Sequence, residues 1–180
     1  LPIETTSQPG RARIVRIDAR VLKTDIASGI TPIVAGFQGR AANGDLTTIG
    51  RGGSDTTAVA LAVVLEAEEC QILTDVDGVY TTDPRMVPEA RRLPRISFEE
   101  MLELAGQGSR VLHLRCVEFA ARYGMKLRVL SSFEAGPGTL ICQEDRKVEA
   151  PVVSGIAFNR DEAAITVANV PHQPGVAHAI

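Results

Sequence analysis

The chain has no large excess of basic residues, few cysteines, and no hydrophobic run long enough to span a bilayer. Each of these absences excludes a class. Lys and Arg number 19 against 22 Asp and Glu, a formal net charge of -3, so no basic surface dominates and nucleic acid is not expected as the main partner. The one arginine-rich stretch, "EARRLPR", is short and reads as a solvated loop. Cys70, Cys116 and Cys142 are odd in number, far apart and without a CxxC pair. Such spacing suits small buried side chains in a reducing compartment rather than a disulfide frame or a zinc site. No secretory leader is visible and no membrane partner is expected; the reading is a cytoplasmic protein. The phosphate-binding pattern GxxxxGK[ST] is missing, and GxGxxG fails at residue 50 onward because position 55 is Asp.

What is present is a regular alternation of strand and helix signals. "ARIVRID" alternates as a strand does. Asp18 can cap a helix with Val21, Leu22 and Ile26 on one face, ended by Gly29. "TPIVAGFQG" reads as a buried strand, joined through the Asn-Gly turn of "AANGD" to "LTTIG". Residues 54–68 form a helix so apolar that it should be covered on both sides. "CQILTD" is a strand, and "DVDGVYTTDPRMVPEARRLPR" a long polar loop. "SFEE" has the form of a capping box. Ser109 opens a further helix carrying Val111, Leu114, Val117 and Ala121, with Gly124 as its stop; "KLRVL" and "GTLIC" are strands. The expected fold is α/β, a mainly parallel sheet with helices on both faces. The charged "QEDRKVEAP" suggests a boundary: a domain over 1–142, a linker over 143–151, and the start of an α+β unit over 152–180.

Ligands of open parallel sheets sit beyond the carboxyl ends of strands, where loops meet helix N-termini. Two segments have that position. In "GRGGSD", Gly52 and Gly53 let the backbone approach a ligand, and the N–H groups entering the helix favour an anion. Arg51 offers a fork matched to a carboxylate or phosphate. Asp55 suits simple capping, amine binding or orientation of a lysine. The same residues are equally compatible with a plain strand-to-helix turn bearing a surface arginine. In "TDVDGVYTTDPR", Tyr80 and Arg85 are suited to a nucleotide's base and phosphate; an ordinary acidic loop with Asp-Gly and Asp-Pro turns is the alternative. His113 reads as a helix-surface or half-buried residue.

Taken in order and spacing, "VAGFQG", "TTIGRGGSDTTAVALA", "TDVDGVYTTDPR", "SFEEMLELAGQGSRVLHLR" and "PGTLI" closely resemble the aspartate kinases of the amino-acid kinase superfamily. "SGIAFNRDEAAITVANVPHQPGVA" resembles the start of that family's first ACT regulatory domain. The resemblance implies an amino-acid kinase α/β/α sandwich and ATP-dependent phosphorylation of the L-aspartate β-carboxylate, with Mg²⁺. It implies feedback by lysine or threonine through the ACT domain, and a homo-oligomer paired through ACT domains. Carried over by position, Arg51 grips an aspartate carboxylate and Gly52, Gly53 and Ser54 line the substrate site beside Phe37. Asp55 helps organise phosphoryl transfer. Thr74, Asp75, Tyr80, Arg85, Ser109 and Arg110 hold ATP. Arg110 departs from the family's usual Lys, keeping the charge in a planar, bulkier head. The family's upstream Lys-(Phe/Tyr)-Gly-Gly loop, and the upstream glutamate that meets the substrate amine, are not among these residues. By that comparison the sequence is a catalytic portion lacking half its active site and inactive alone. A related kinase with another acceptor, or a non-catalytic assembly fragment, are the competing readings.

Overall fold

Two four-stranded sheets and four helices make up the regular structure of the computed structural model, which describes residues 2–8, 10–109, 111–143 and 153–157. The first sheet holds β1 (Ile3–Thr5), β2 (Ile14–Ile17), β3 (Gln38–Ala41) and β4 (Leu46–Thr48) in the order β2-β1-β3-β4. The second holds β5 (Cys70–Thr74), β6 (Arg95–Ser97), β7 (Leu127–Ser131) and β8 (Thr139–Cys142) in the order β5-β7-β8-β6. The α/β class stands, but parallel and antiparallel pairings are evenly represented among the described residues. The reason is local. β3 to β4 and β7 to β8 are joined by short turns, which can return a chain only as an antiparallel neighbour.

The helices are α1 (Arg20–Ala27), α2 (Gly53–Leu65), α3 (Phe98–Gly106) and α4 (Leu114–Tyr123). α2, α3 and α4 pack with the second sheet around one apolar cluster that includes Val59, Ile72, Met101, Val117, Leu127 and Ile141. α3 starts at the expected capping box: the Glu100 N–H donates to Ser97 Oγ at 3.1 Å, and the Ser97 N–H to Glu100 Oε2 at 2.8 Å. α2 stops at Leu65, three residues short of expectation, because Glu66 turns left-handed at φ 58°. Its burial is also less complete than expected. Thr56, Thr57, Val59, Ala60 and Ala62 are buried, whereas Leu61, Val64 and Leu65 are only half-buried.

Three expectations need correction. The cap residue of α1 is Ala19, not Asp18; the Asp18 carboxylate instead accepts the Arg20 N–H at 3.2 Å and is engaged by its guanidinium at 2.6 Å. That guanidinium holds the Asp18 carboxyl far below the usual carboxylate range. Of its apolar face only Leu22 is buried; Val21 and Ile26 are exposed, since nothing among the described residues covers them. Second, "TPIVAGFQG" is not a buried strand. Residues 31–37 alternate in exposure, yet pairing begins only at Gln38, and Ile33 is 97 % exposed. A strand needs a neighbour for its N–H and C=O groups, and no described strand lies beside this stretch. Third, the last helix opens at Leu114 rather than Ser109. Its cap is His113, whose Nδ1 accepts the Arg115 N–H at 3.3 Å. β6 begins at Arg95, the last residue read as loop; three residues are too few to show a period.

Of the linker at 143–151 only Gln143 is described, and of the 152–180 segment only 153–157. Those five residues pack back on the fold. The Ile156 N–H donates to the Thr81 carbonyl at 2.7 Å, the Ser154 hydroxyl meets the Glu100 carboxylate, and Ala157 lies against the apolar cluster.

Candidate active site

The turn into α2 is shaped by glycines whose conformations other residues resist. Gly50 and Gly52 have φ of 88° and 69°. A Cβ on Gly52 would lie 2.3 Å from His113 Cγ, so the imidazole occupies the space a side chain would take. Gly53 is as tight: a Cβ there would fall 3.0 Å from Ile49 Cβ and 3.1 Å from Phe37 Cδ2. The helix therefore begins with bare backbone, its Gly53 N–H bonded back to the Gly50 carbonyl at 2.9 Å.

Phe37 stands beside this turn with φ 71°, a left-handed conformation rare and costly for an aromatic residue. Two hydrogen bonds hold it there. Its N–H donates to Thr57 Oγ1 at 3.2 Å, and its carbonyl accepts the Ile49 N–H at 2.9 Å. The Thr57 hydroxyl passes the connection on to the Gly53 carbonyl at 2.7 Å. Gly36 is in van der Waals reach of Ser54. Strain of this kind persists only where the surroundings over-determine it, and such places are commonly functional.

Arg51 and Ser54 are exposed, and the Arg51 guanidinium has no hydrogen bond or ion pair among the described residues. Asp55, in the first turn of α2, is half-buried. Desolvation pushes its pKa above the ordinary carboxylate value, opposed by the Ser54 hydroxyl at 3.4 Å and by the charge field of His113. The turn thus joins a free cation, a helix N-terminus and a carboxyl in a partly dry setting.

The second loop follows β5, the strand on which α2 packs. Four residues separate Leu65 from Cys70, so α2 must run back along β5 as it packs on it. α4 is arranged likewise, joined by 124–126 to β7, which pairs in parallel with β5 through Thr74 and Ser131. The N-termini of α2 and α4 meet directly where His113 touches Gly52.

At the end of β5 the Thr74 hydroxyl donates to Asp75 Oδ1 at 3.1 Å, and Asp75 is exposed. The Tyr80 hydroxyl donates to Asp77 Oδ1 at 2.9 Å, which raises the phenol's pKa, and Arg92 Nε lies 3.8 Å from Asp77 Oδ2. Thr139, wholly buried, pins the loop from below: its hydroxyl donates to the Leu93 carbonyl at 2.6 Å and accepts the Val79 N–H at 2.8 Å. Arg85 is exposed, its backbone N–H bonded to Asp83 Oδ1 at 2.9 Å, and its guanidinium makes no polar contact among the described residues. Ser109 lies in the connection from α3 to α4, its N–H bonded to the Leu104 carbonyl at 2.9 Å. Arg110 lies outside the described residues.

The structure therefore gathers Phe37, Arg51, Gly52, Gly53, Ser54 and Asp55 at one turn, while Thr74, Asp75 and Tyr80 lie at and beyond the end of β5, on which α2 packs. No contact ties Arg85 to either group. Sequence reasoning missed His113, Asp77's hold on Tyr80, Arg92 and Thr139; the signal available was weak, since each acts through a partner distant along the chain or across a loop. A groove of about 540 Å³ lined by Ile3, Arg16, Asp18, Val21 and Arg40, among others, lies elsewhere and includes none of these residues. Among the described residues no helix is long and apolar enough to cross a membrane.

The amino acid kinase family profile matches residues 2–131, and the chain belongs to that family. It is 59 % identical over 180 residues to an aspartokinase of Pseudomonas aeruginosa, covering 99 % of this chain and 44 % of that protein. The solved structure of E. coli aspartokinase III with aspartate and ADP, in its R-state, superposes with a TM-score of 0.70 at 37 % identity, over 81 % of this chain and 34 % of that one. The T-state of the same enzyme, with lysine and aspartate, gives 0.66 at 38 % identity, over the same shares. The chain thus spans less than half the length of these relatives.

Proposed function

We propose that the full-length protein carrying this chain transfers the γ-phosphoryl group of ATP to the β-carboxylate of L-aspartate, giving 4-phospho-L-aspartate and ADP. The observation that supports this most is the Arg51-Gly52-Gly53 turn opening a helix that packs on β5, the strand leading into the 74–80 loop. An amino diacid in the turn would face a nucleotide in the loop. The aspartokinase relatives, one solved with aspartate and ADP, favour that acceptor.

The chemistry asks little of a base, because a carboxylate is ionised at neutral pH. A carboxylate oxygen attacks the γ-phosphorus, the bond to the β–γ bridging oxygen breaks, and ADP departs. What the protein must supply is charge compensation and alignment. Arg51 and the first N–H groups of α2 would bind an aspartate carboxylate, with Gly52, Gly53, Ser54 and Phe37 around it. Asp55 would organise the transfer centre from its half-dry position. Thr74, Asp75, Tyr80, Arg85, Ser109 and Arg110 would receive ATP. The described residues contain no cluster of three metal-ligating side chains, and Mg²⁺ commonly rides on phosphates with few protein ligands. In this reading it arrives with the nucleotide and offsets phosphate charge.

We further propose that residues 1–142 are the catalytic portion and that 152–180 open an ACT unit through which lysine or threonine regulates a homo-oligomer. The bond from Ile156 to Thr81 supports a mechanical link, since it joins that segment to the loop bearing Tyr80. The test is an acceptor screen on the full-length protein, reading ADP release and hydroxamate formation. Aspartate-dependent turnover supports the assignment. Turnover with acetylglutamate, glutamate or a nucleoside monophosphate, and none with aspartate, overturns it.

A further inference from the structure

The turn that would receive the acceptor belongs to the first sheet, while the loop that would receive the nucleotide belongs to the second. Phosphoryl transfer requires the two in register, and one side chain ties them together. Arg115, in the first turn of α4 and half-buried, donates from Nη1 to the Ile49 carbonyl at 3.1 Å and from Nη2 to the Ala12 carbonyl at 3.3 Å. Both acceptor residues are buried, Ala12 wholly and Ile49 to within 1 %. Ile49 immediately precedes the glycine turn, and its own N–H is bonded to the carbonyl of Phe37. The Ala12 N–H donates to the Thr48 carbonyl at 3.1 Å, so both carbonyls held by Arg115 flank the end of β4.

We propose that Arg115 is a positioning residue that sets the acceptor turn at 49–53 against the nucleotide end of the second sheet, a role that rests on the kinase reading above. The guanidinium's planar fork holds two N–H groups, on separate nitrogens, aimed at the two carbonyls, a spread and fixed direction that a single ammonium nitrogen lacks. His113 assists by the same helix end, its ring filling the space above Gly52. Misplacing reacting groups by about 1 Å costs on the order of a hundredfold in rate, so a loosened turn is felt in turnover before the fold is lost.

The experiment uses the full-length protein with Arg115→Met, which removes both donors and keeps the stem, and Arg115→Lys, which keeps the charge but not the fork. Three readouts are taken: kcat and KM for aspartate, nucleotide affinity by titration with ADP, and amide hydrogen exchange. Arg115→Met is expected to lower kcat/KM for aspartate by about tenfold or more and to speed exchange in peptides covering 47–57. ADP affinity and exchange in β7 and β8 stay at the parent's values, and Arg115→Lys falls between. Should Arg115→Met not fold, Arg115→Lys carries the same comparison. Parent-like kinetics, or loss of protection throughout β7 and β8, overturns the proposal. If the parent itself does not phosphorylate aspartate, the kinase reading fails, and the exchange pattern alone decides whether Arg115 holds the turn.

Discussion

Replacing Gly52 with alanine separates the two reasons a glycine stands at the start of α2. At φ 69° an alanine pays the left-handed penalty of about 1–2 kcal/mol. Its Cβ would also sit 2.3 Å from His113 Cγ, 2.4 Å from His113 Cβ and 2.9 Å from His113 Nδ1. The first two atoms are close to the backbone and have little room to retreat, so overpacking adds about 1–3 kcal/mol. Gly124 supplies the control. Its φ is 65°, but a Cβ there would meet nothing within 4 Å, so Gly124→Ala should cost the conformational penalty alone, about 1–2 kcal/mol. Urea unfolding midpoints of the two single variants, of His113→Ala and of Gly52→Ala/His113→Ala complete a double-mutant cycle. The expected coupling is about 1 kcal/mol, the low end of the overpacking range, because His113→Ala removes Cγ and Nδ1 but keeps the Cβ 2.4 Å away, and the φ strain remains. Equal costs for Gly52→Ala and Gly124→Ala, with no coupling to His113, would refute the packing of the two helix N-termini described here.

Asp55 carries the charge of a partly desolvated carboxyl, and its raised pKa fixes the sign of its pH dependence. Between the ordinary carboxylate value and the raised one, the folded protein binds more protons than the unfolded chain, so stability falls as pH rises through that window. Asp55→Asn should therefore be more stable than the parent at pH 7, an advantage that disappears when acid titration passes below the ordinary carboxylate value, and turnover should drop. Thermal unfolding across pH 3–8, beside activity, checks both. Burial pushes the Cys70 thiol up to about 11 and the Cys116 thiol higher still. Both should resist iodoacetamide at pH 8 in the native protein and react once urea unfolds it, as peptide mass mapping will read; labelling of native Cys116 would contradict its place in the core.

How much of this was legible depended on how far each signal reached along the chain. The capping box at Ser97 and Glu100 is a three-residue pattern, and it formed as written. The Asn43-Gly44 turn set its hairpin for the same reason, with Gly44 at φ 90°. β5, β7 and β8 came from short apolar runs between turn residues. What failed was the part decided at a distance. Residues 31–36 look like a strand by composition, and they lack only a neighbour. The start of α4 was misplaced because Ser109 is a better cap by type than His113, whose ring is held there by contact with Gly52. Arg115 reads as one more helix arginine; its carbonyl partners are 66 and 103 residues away. The residues of the candidate site can be nominated from the sequence because glycine, arginine and acid crowd into a few positions, whereas the side chains that hold the turn cannot.

The account stands on the turn at 50–55 being the seat of an acceptor carboxylate. The most direct test is the kinetics of Arg51→Ala in the full-length protein, with aspartate and ATP each varied. A charged hydrogen-bond partner contributes roughly 1.5–3 kcal/mol, and each 1.4 kcal/mol is about a factor of ten. The expected result is a loss of about tenfold or more in kcat/KM for aspartate, with KM for ATP little changed. Aspartate kinetics equal to the parent's would contradict it.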